Sequence, residues 1–217
     1  MNNIIVSLPV YPLLLSAFLF TPLFANRNEI TLAKPDMNGG APLMLALSRR
    51  QSSRSFSAKA IPDQVLSNLL WAANGINRAD AGKRTAPTAV NRQEVDIYIA
   101  MAEGLYLYNA KLHALSLVVA KDLRALTGRQ GYVQNAPLNL IYVADMSRVA
   151  GNSREDKLLY AAADTGFIGQ NVYLFCASEG LATVIRAFID KDALGKAMNL
   201  KSSQMIILAQ TVGYPGN

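Results

Sequence analysis

The chain carries a single cysteine, Cys176, and a single histidine, His113. One cysteine excludes an intrachain disulfide, and this pair of residues is too few for a zinc site of the ordinary ligand sets. No metal is expected. Cys176 also lies in an apolar stretch, where burial raises a thiol's pKa and removes its nucleophilic character. The motifs GxGxxG, GxSxG, HExxH and the P-loop signature are all missing. Rossmann, α/β-hydrolase, zincin and P-loop chemistries therefore lose their usual sequence support. Acidic residues number 15 against 21 Lys and Arg, for a net charge of +6. The cations are scattered and not interleaved with aromatic residues, which favours an ordinary basic surface over a nucleic-acid partner.

Charge is wholly absent from residues 1–26, and Ile4 to Phe24 is almost entirely apolar. Residues 1–25 read as a secretory signal peptide cut near Ala25, which makes the protein exported, periplasmic or extracellular. If retained, the run is long enough to anchor the chain in a membrane, although Pro9, Pro12 and Pro22 would make its helix irregular. Residues 26–40 are polar and without periodicity, and read as a linker or arm. Residues 41–217 then form one globular domain with a sizeable core.

The most apolar part of that domain is Leu158 to Ala177, which holds one charged residue, Asp164. A helix apolar on nearly every face must be buried. At roughly 30 Å it is about as long as the domain is wide, so part of it is expected to face a second copy of the chain. Gly180 supplies a left-handed stop, and Leu181 to Ile185 resumes as a β-like run. Earlier, Ala41–Arg50 reads as a short amphipathic helix, and a second follows Pro62 with Val65, Leu66, Leu69, Leu70 and Ala73 at helical spacing. Residues 76–90 show no pattern and read as a loop. Val95–Met101, Gly104–Tyr108 and Leu112–Val118 read as strands, with short helices over Lys121–Thr127 and Asp190–Met198. Leu138–Ala144 and Met205–Val212 are apolar enough to be central strands covered on both faces. This order indicates an α+β fold with helices segregated on a sheet.

Two polar stretches carry the candidate chemistry. In Arg50-Gln51-Ser52-Ser53-Arg54-Ser55-Phe56, an extended backbone would put Arg50, Ser52 and Arg54 on one side. Guanidinium forks suit phosphate oxygens; the bland alternative is a solvated basic turn. In Pro87-Thr88-Ala89-Val90-Asn91-Arg92-Gln93, Asn and Gln offer both donors and acceptors to the edge of a planar heterocycle; alone it is a turn with an Asn. Asp164 is read as satisfying a backbone or Arg partner.

Taken together, RxSxRxF, PTAxNxQ, a long apolar helix containing QN, then GLAT and a last strand ending in GYP resemble the nitroreductase family of FMN enzymes. LLWAANGINR, RTAPTA and GLYLYNAKLHAL are most similar to its SagB-type dehydrogenase branch, related to azoline oxidases. The resemblance covers residues 41–215. It implies a homodimeric nitroreductase-like fold, with a mixed, mostly antiparallel central sheet and a long buried helix at the dimer interface. It assigns Arg50, Ser52 and Arg54 to the phosphate and ribityl end of FMN, and Pro87, Thr88, Ala89 and Asn91 to the isoalloxazine ring, from the partner subunit, with Gln93 a further candidate. A backbone N–H around Val184, Ile185 and Arg186 is expected near flavin N5, where a donor stabilises charge on the reduced ring. Many members carry basic residues after the last strand; here Arg49 or Arg186 is expected to supply that charge. Trp71, Tyr106, Tyr108 and His113 are expected to line a substrate pocket, with core packing of Trp71 and an outward-facing Tyr pair as the alternative. The implied activity is ping-pong hydride transfer to nitroaromatics or quinones, with NAD(P)H as a possible donor. Two alternatives are a dehydrogenase acting on a reduced substrate and a non-catalytic exported flavin-binding dimer.

Overall fold

In the computed structural model, which describes residues 29–216, the chain runs β1 (Glu29–Thr31), α1 (Leu43–Arg49), α2 (Asp63–Asn74), β2 (Ile76–Arg78), β3 (Lys83–Arg84), β4 (Val95–Met101), β5 (Gly104–Asn109), β6 (Ala114–Val119), β7 (Leu138–Asp145), α3 (Arg154–Glu179), β8 (Ala182–Arg186), α4 (Lys191–Ala197) and β9 (Gln204–Gly213). The expected signal segment lies outside the described residues. Seven strands form one sheet in the order β1-β6-β5-β4-β7-β9-β8, and every pairing is antiparallel. Among the described residues, no helix is long and apolar enough to cross a membrane.

Both faces of the sheet are covered, and this is why its central strands read as continuous apolar runs. One face carries Ile97, Ile99, Leu140 and Tyr142 against Leu69 and Leu70 of α2 and Ile168, Val172 and Cys176 of α3. The other carries Tyr98, Ile141, Val143 and Ala209 against Leu194 and Met198 of α4. Helix α3 begins with a capping box in which Ser153 and Asp156 satisfy each other's backbone N–H. It ends at Gly180, whose φ of 68° is the left-handed stop. Gly169 permits its close approach to β8, because a Cβ there would stand 2.7 Å from Ile185 Cδ1.

Three local readings change. The stretch 76–90 is not only loop: β2 and β3 pair across a bulge. Arg78 and Arg84 carry this hairpin through hydrogen bonds to the carbonyls of Arg84 and Asn74. Within the expected linker, Glu29–Thr31 pairs with Ala114–Ser116 at the sheet edge. The expected helix at 121–127 is a 3-10 turn over Arg124–Thr127.

Candidate active site at the free edge of β8

Strand β8 pairs only with β9, so its other edge is open to partners. The segment after α1 runs extended along this edge. Ser53 N–H donates to Thr183 O (2.9 Å), Ser57 N–H donates to Tyr214 O, and Phe56 bridges to Pro215. With the strap pinned this way, the period of two puts Arg50, Ser52 and Arg54 together, and all three are exposed. Among the described residues neither arginine forms an ion pair. Arg49 lines an adjoining cleft of ≈ 480 Å³ with Ser53, Tyr173, Gly180, Thr183 and Pro215.

Tyr173 joins the parts of this site, and nothing in the sequence singled it out beyond a hydroxyl in an apolar helix. Its Oη lies 2.8 Å from Ser52 Oγ and accepts the Ile185 N–H at 3.0 Å. The Arg50 guanidinium stands 5.4 Å from its ring centroid, within cation–π range. Two expectations for β8 need correction here. The Ile185 N–H already has Tyr173 as acceptor, and Val184 and Arg186 alternate toward β9. The next N–H on the open edge is that of exposed Ala187. Nor does the Arg186 side chain reach the strap. It is buried, donates to Thr127 O, Thr127 Oγ1 and Asn139 Oδ1, and desolvation lowers its pKa to about 10. Asn139 also accepts from Thr211, while Gln210 accepts from Tyr142 and donates to Thr183. These buried polar bonds fix β8 against the sheet, so the open edge is a rigid one.

The Pro87–Gln93 stretch lies elsewhere on α3. Its backbone is left-handed at Val90, Asn91 and Gln93 (φ 44°, 56° and 50°), which costs energy that surrounding bonds must offset. Ala89 N–H donates to Asp164 Oδ2 (2.9 Å) and Gln93 N–H to Thr88 Oγ1 (3.0 Å). Asp164 thus satisfies a backbone group, as its isolation in an apolar helix suggested. Gln93 acts as an internal staple: its amide donates to Gly82 O and Asn91 Oδ1 and accepts from Arg84. Asp164 and Tyr173 are nine residues apart, about 13 Å along a helix. Within one chain the two polar stretches are not brought together.

Beside the Asp164 carboxyl lies Glu94, only 1% exposed, whose two oxygens meet no N–H or hydroxyl donor among the described residues. Burial first, and then Asp164, raise its pKa to about 7. The sequence reading passed over it, because a glutamate at a strand start gives no sign of burial.

Trp71, Tyr106, Tyr108 and His113 do not form one pocket. His113 lies 2.8 Å from Ser67 Oγ and 3.0 Å from Tyr108 Oη, and Tyr108 is buried in the core under α2. Burial lowers the His113 pKa. Tyr106 lines a separate cavity with Leu32, Leu66 and Leu115, and Trp71 lines a groove between α1, α2 and α3, its indole N–H donating to Ile76 O. The hairpin packs inward because α2 lies across it, a long-range contact that alternation along one strand cannot reveal.

Known proteins resemble this chain in sequence and fold. A protein of Methanocaldococcus jannaschii assigned as a nitroreductase is 27% identical over 173 residues, 75% of this chain and 86% of its own. The crystal structure of a Ralstonia eutropha protein assigned as a nitroreductase is 40% identical with a TM-score of 0.83, covering 88% of this chain and 90% of that one. A Desulfovibrio desulfuricans structure, determined in complex with FMN, shares the fold at 20% identity and a TM-score of 0.60, over 82% of this chain and 88% of that one. The Nitroreductase family model matches residues 47–214, and the chain belongs to this family of flavin-dependent oxidoreductases.

Proposed function

We propose that the protein is an FMN-dependent oxidoreductase that works as a homodimer and transfers hydride by a ping-pong mechanism. The observation that carries this reading is the strap beside β8, where Arg50, Ser52 and Arg54 stand exposed on one side and Arg50 and Ser52 are joined through Tyr173 to a strand edge. These residues fit a phosphate and a polyol: the guanidinium forks are not held in ion pairs, and Ser52 Oγ is fixed by Tyr173. Arg49, the last residue of α1, adds positive charge in place of Arg186. Hydride storage and return are the chemistry that FMN supplies when bound. The exposed N–H of Ala187 is the open donor on the β8 edge for charge arising on the ring. Thr88 and Asn91 meet the ring edge with a hydroxyl and an amide. No side-chain acid or base is required for the hydride step, which suits a chain whose one histidine is engaged by Ser67, Tyr108 and Ala33.

The dimer follows from the surface of α3. Leu159, Tyr160 and Phe167 are 66%, 39% and 48% exposed, and α1, which packs on the C-terminal part of α3, presents exposed Leu43, Met44 and Leu47. Large apolar side chains left exposed along a helix and its neighbour suit an interface, and a two-fold pairing is the commonest closed solution. Such pairing along α3 lets the Pro87–Gln93 loop of one protomer complete the strap site of its partner. This accounts for the two stretches meeting α3 at Asp164 and Tyr173, about 13 Å apart along the helix. Cleavage after Ala25 and export complete the proposal.

Steady-state turnover with NAD(P)H and a quinone tests the mechanism. Parallel double-reciprocal lines are expected, because the donor leaves before the acceptor binds. Intersecting lines would contradict the ping-pong mechanism, and turnover with a reduced organic substrate in place of NAD(P)H would favour the dehydrogenase alternative.

A further inference from the structure

We propose that Glu94 and Asp164 share one proton and that this pair holds the Thr88–Asn91 loop in place for the flavin ring, making Glu94 a positioning residue of the site. The inference rests on the FMN reading above. Both side chains are buried, 1% and 2% exposed. Asp164 Oδ2 accepts the Ala89 N–H, whereas both Glu94 oxygens lack a donor. The proton is therefore favoured on Glu94, since two adjacent buried carboxylates cannot both be charged without a large desolvation and repulsion cost.

Among the described residues no cation pairs with Glu94, and Arg148 offsets its burial only in small part. Arg148, after β7, donates to the Glu94 and Gln93 main-chain oxygens, and its guanidinium serves Asp96 and Asp145. Arg84 of β3 is taken by Gln93 Oε1 and Asn74 O. From α2 comes Asn74, whose Oδ1 is itself without a donor; from α3 comes Asp164. Loss of the Glu94 proton sets a second negative charge against Asp164 and so loosens the Ala89 anchor. Burial brings that loss near neutral pH.

The sign follows from linkage. A carboxyl whose folded pKa is raised contributes stability that is fully present below its unfolded pKa and is lost as pH rises through the folded value. Flavin-free protein should therefore lose thermal stability between about pH 5 and pH 8, and Glu94→Gln, which mimics the protonated form, should flatten that loss. FMN affinity of the wild type should weaken about tenfold from pH 6 to pH 8.5, while Glu94→Gln stays tight across the range. Carboxyl-13C NMR of flavin-free wild type, with labelled glutamate, should show one Glu titrating near neutrality and decides the matter if the variant does not fold. The proposal is overturned if no Glu titrates there, or if the variant keeps the wild-type pH dependence of stability or of FMN affinity. Protein that binds no FMN at any pH would refute the flavin reading and with it the positioning role, while the flavin-free titration separately tells whether the shared proton exists.

Discussion

Replacing both Arg50 and Arg54 by alanine will lower FMN affinity about a hundredfold or more, with little change in folding. Each charge-assisted hydrogen bond to a phosphate contributes roughly 1.5–3 kcal/mol. Exposure of the strap argues for the lower end, and two such losses give about 3 kcal/mol, or roughly two decades in Kd. The fold should tolerate the change because both side chains are exposed and, among the described residues, neither is in an ion pair. Fluorescence titration of FMN checks the affinity, and added salt should weaken the wild type far more than the double variant. Unchanged binding by the double variant would remove the phosphate assignment.

Phe167→Glu should separate the protomers and abolish FMN retention together. In a two-fold interface each substitution occurs twice, and burying an unpaired charge costs several kcal/mol per copy. The dimer dissociation constant should rise by roughly a thousandfold or more. Because Phe167 is 48% exposed in the single chain, the protomer itself should still fold. Leu112→Glu is the control: Leu112 is 57% exposed at the β5–β6 hairpin, away from α3, and its replacement should change neither property. Sedimentation velocity with flavin absorbance reads mass and cofactor at once. A Phe167→Glu protein that remains a yellow dimer would contradict the shared site.

Those parts of the fold that depend on local pattern were legible in the sequence. An apolar run beyond the reach of one sheet could only be a buried helix, and Gly180 marked its end; β7 and β9 declared themselves by apolarity on both faces. The β2–β3 hairpin was hidden because its pairing leans on Arg84 reaching Asn74 O and Gln93 Oε1, contacts made across the chain. The site divides in the same way. Alternation alone put Arg50, Ser52 and Arg54 on one side, since an extended strap obeys a period of two. Which N–H of β8 stays open depends on the phase of the strand against β9, which turns Val184 and Arg186 toward β9 and leaves Ile185 to Tyr173. Tyr173 and Glu94 owe their importance to what lies beside them in space, and neither has a distinctive sequence neighbourhood. His113 invited a substrate-pocket reading; its partners Ser67 and Ala33, distant in the chain, instead tie its half-buried ring to α2 and the segment before it.

The visible absorption spectrum of the purified protein beginning at Asn26, with mass analysis of whatever it releases on denaturation, tests the central claim most directly. A yellow dimer that releases FMN, one per protomer, is the predicted result. A colourless protein that also fails to take up added FMN would contradict the account, and the strap along β8 would then be an ordinary basic surface.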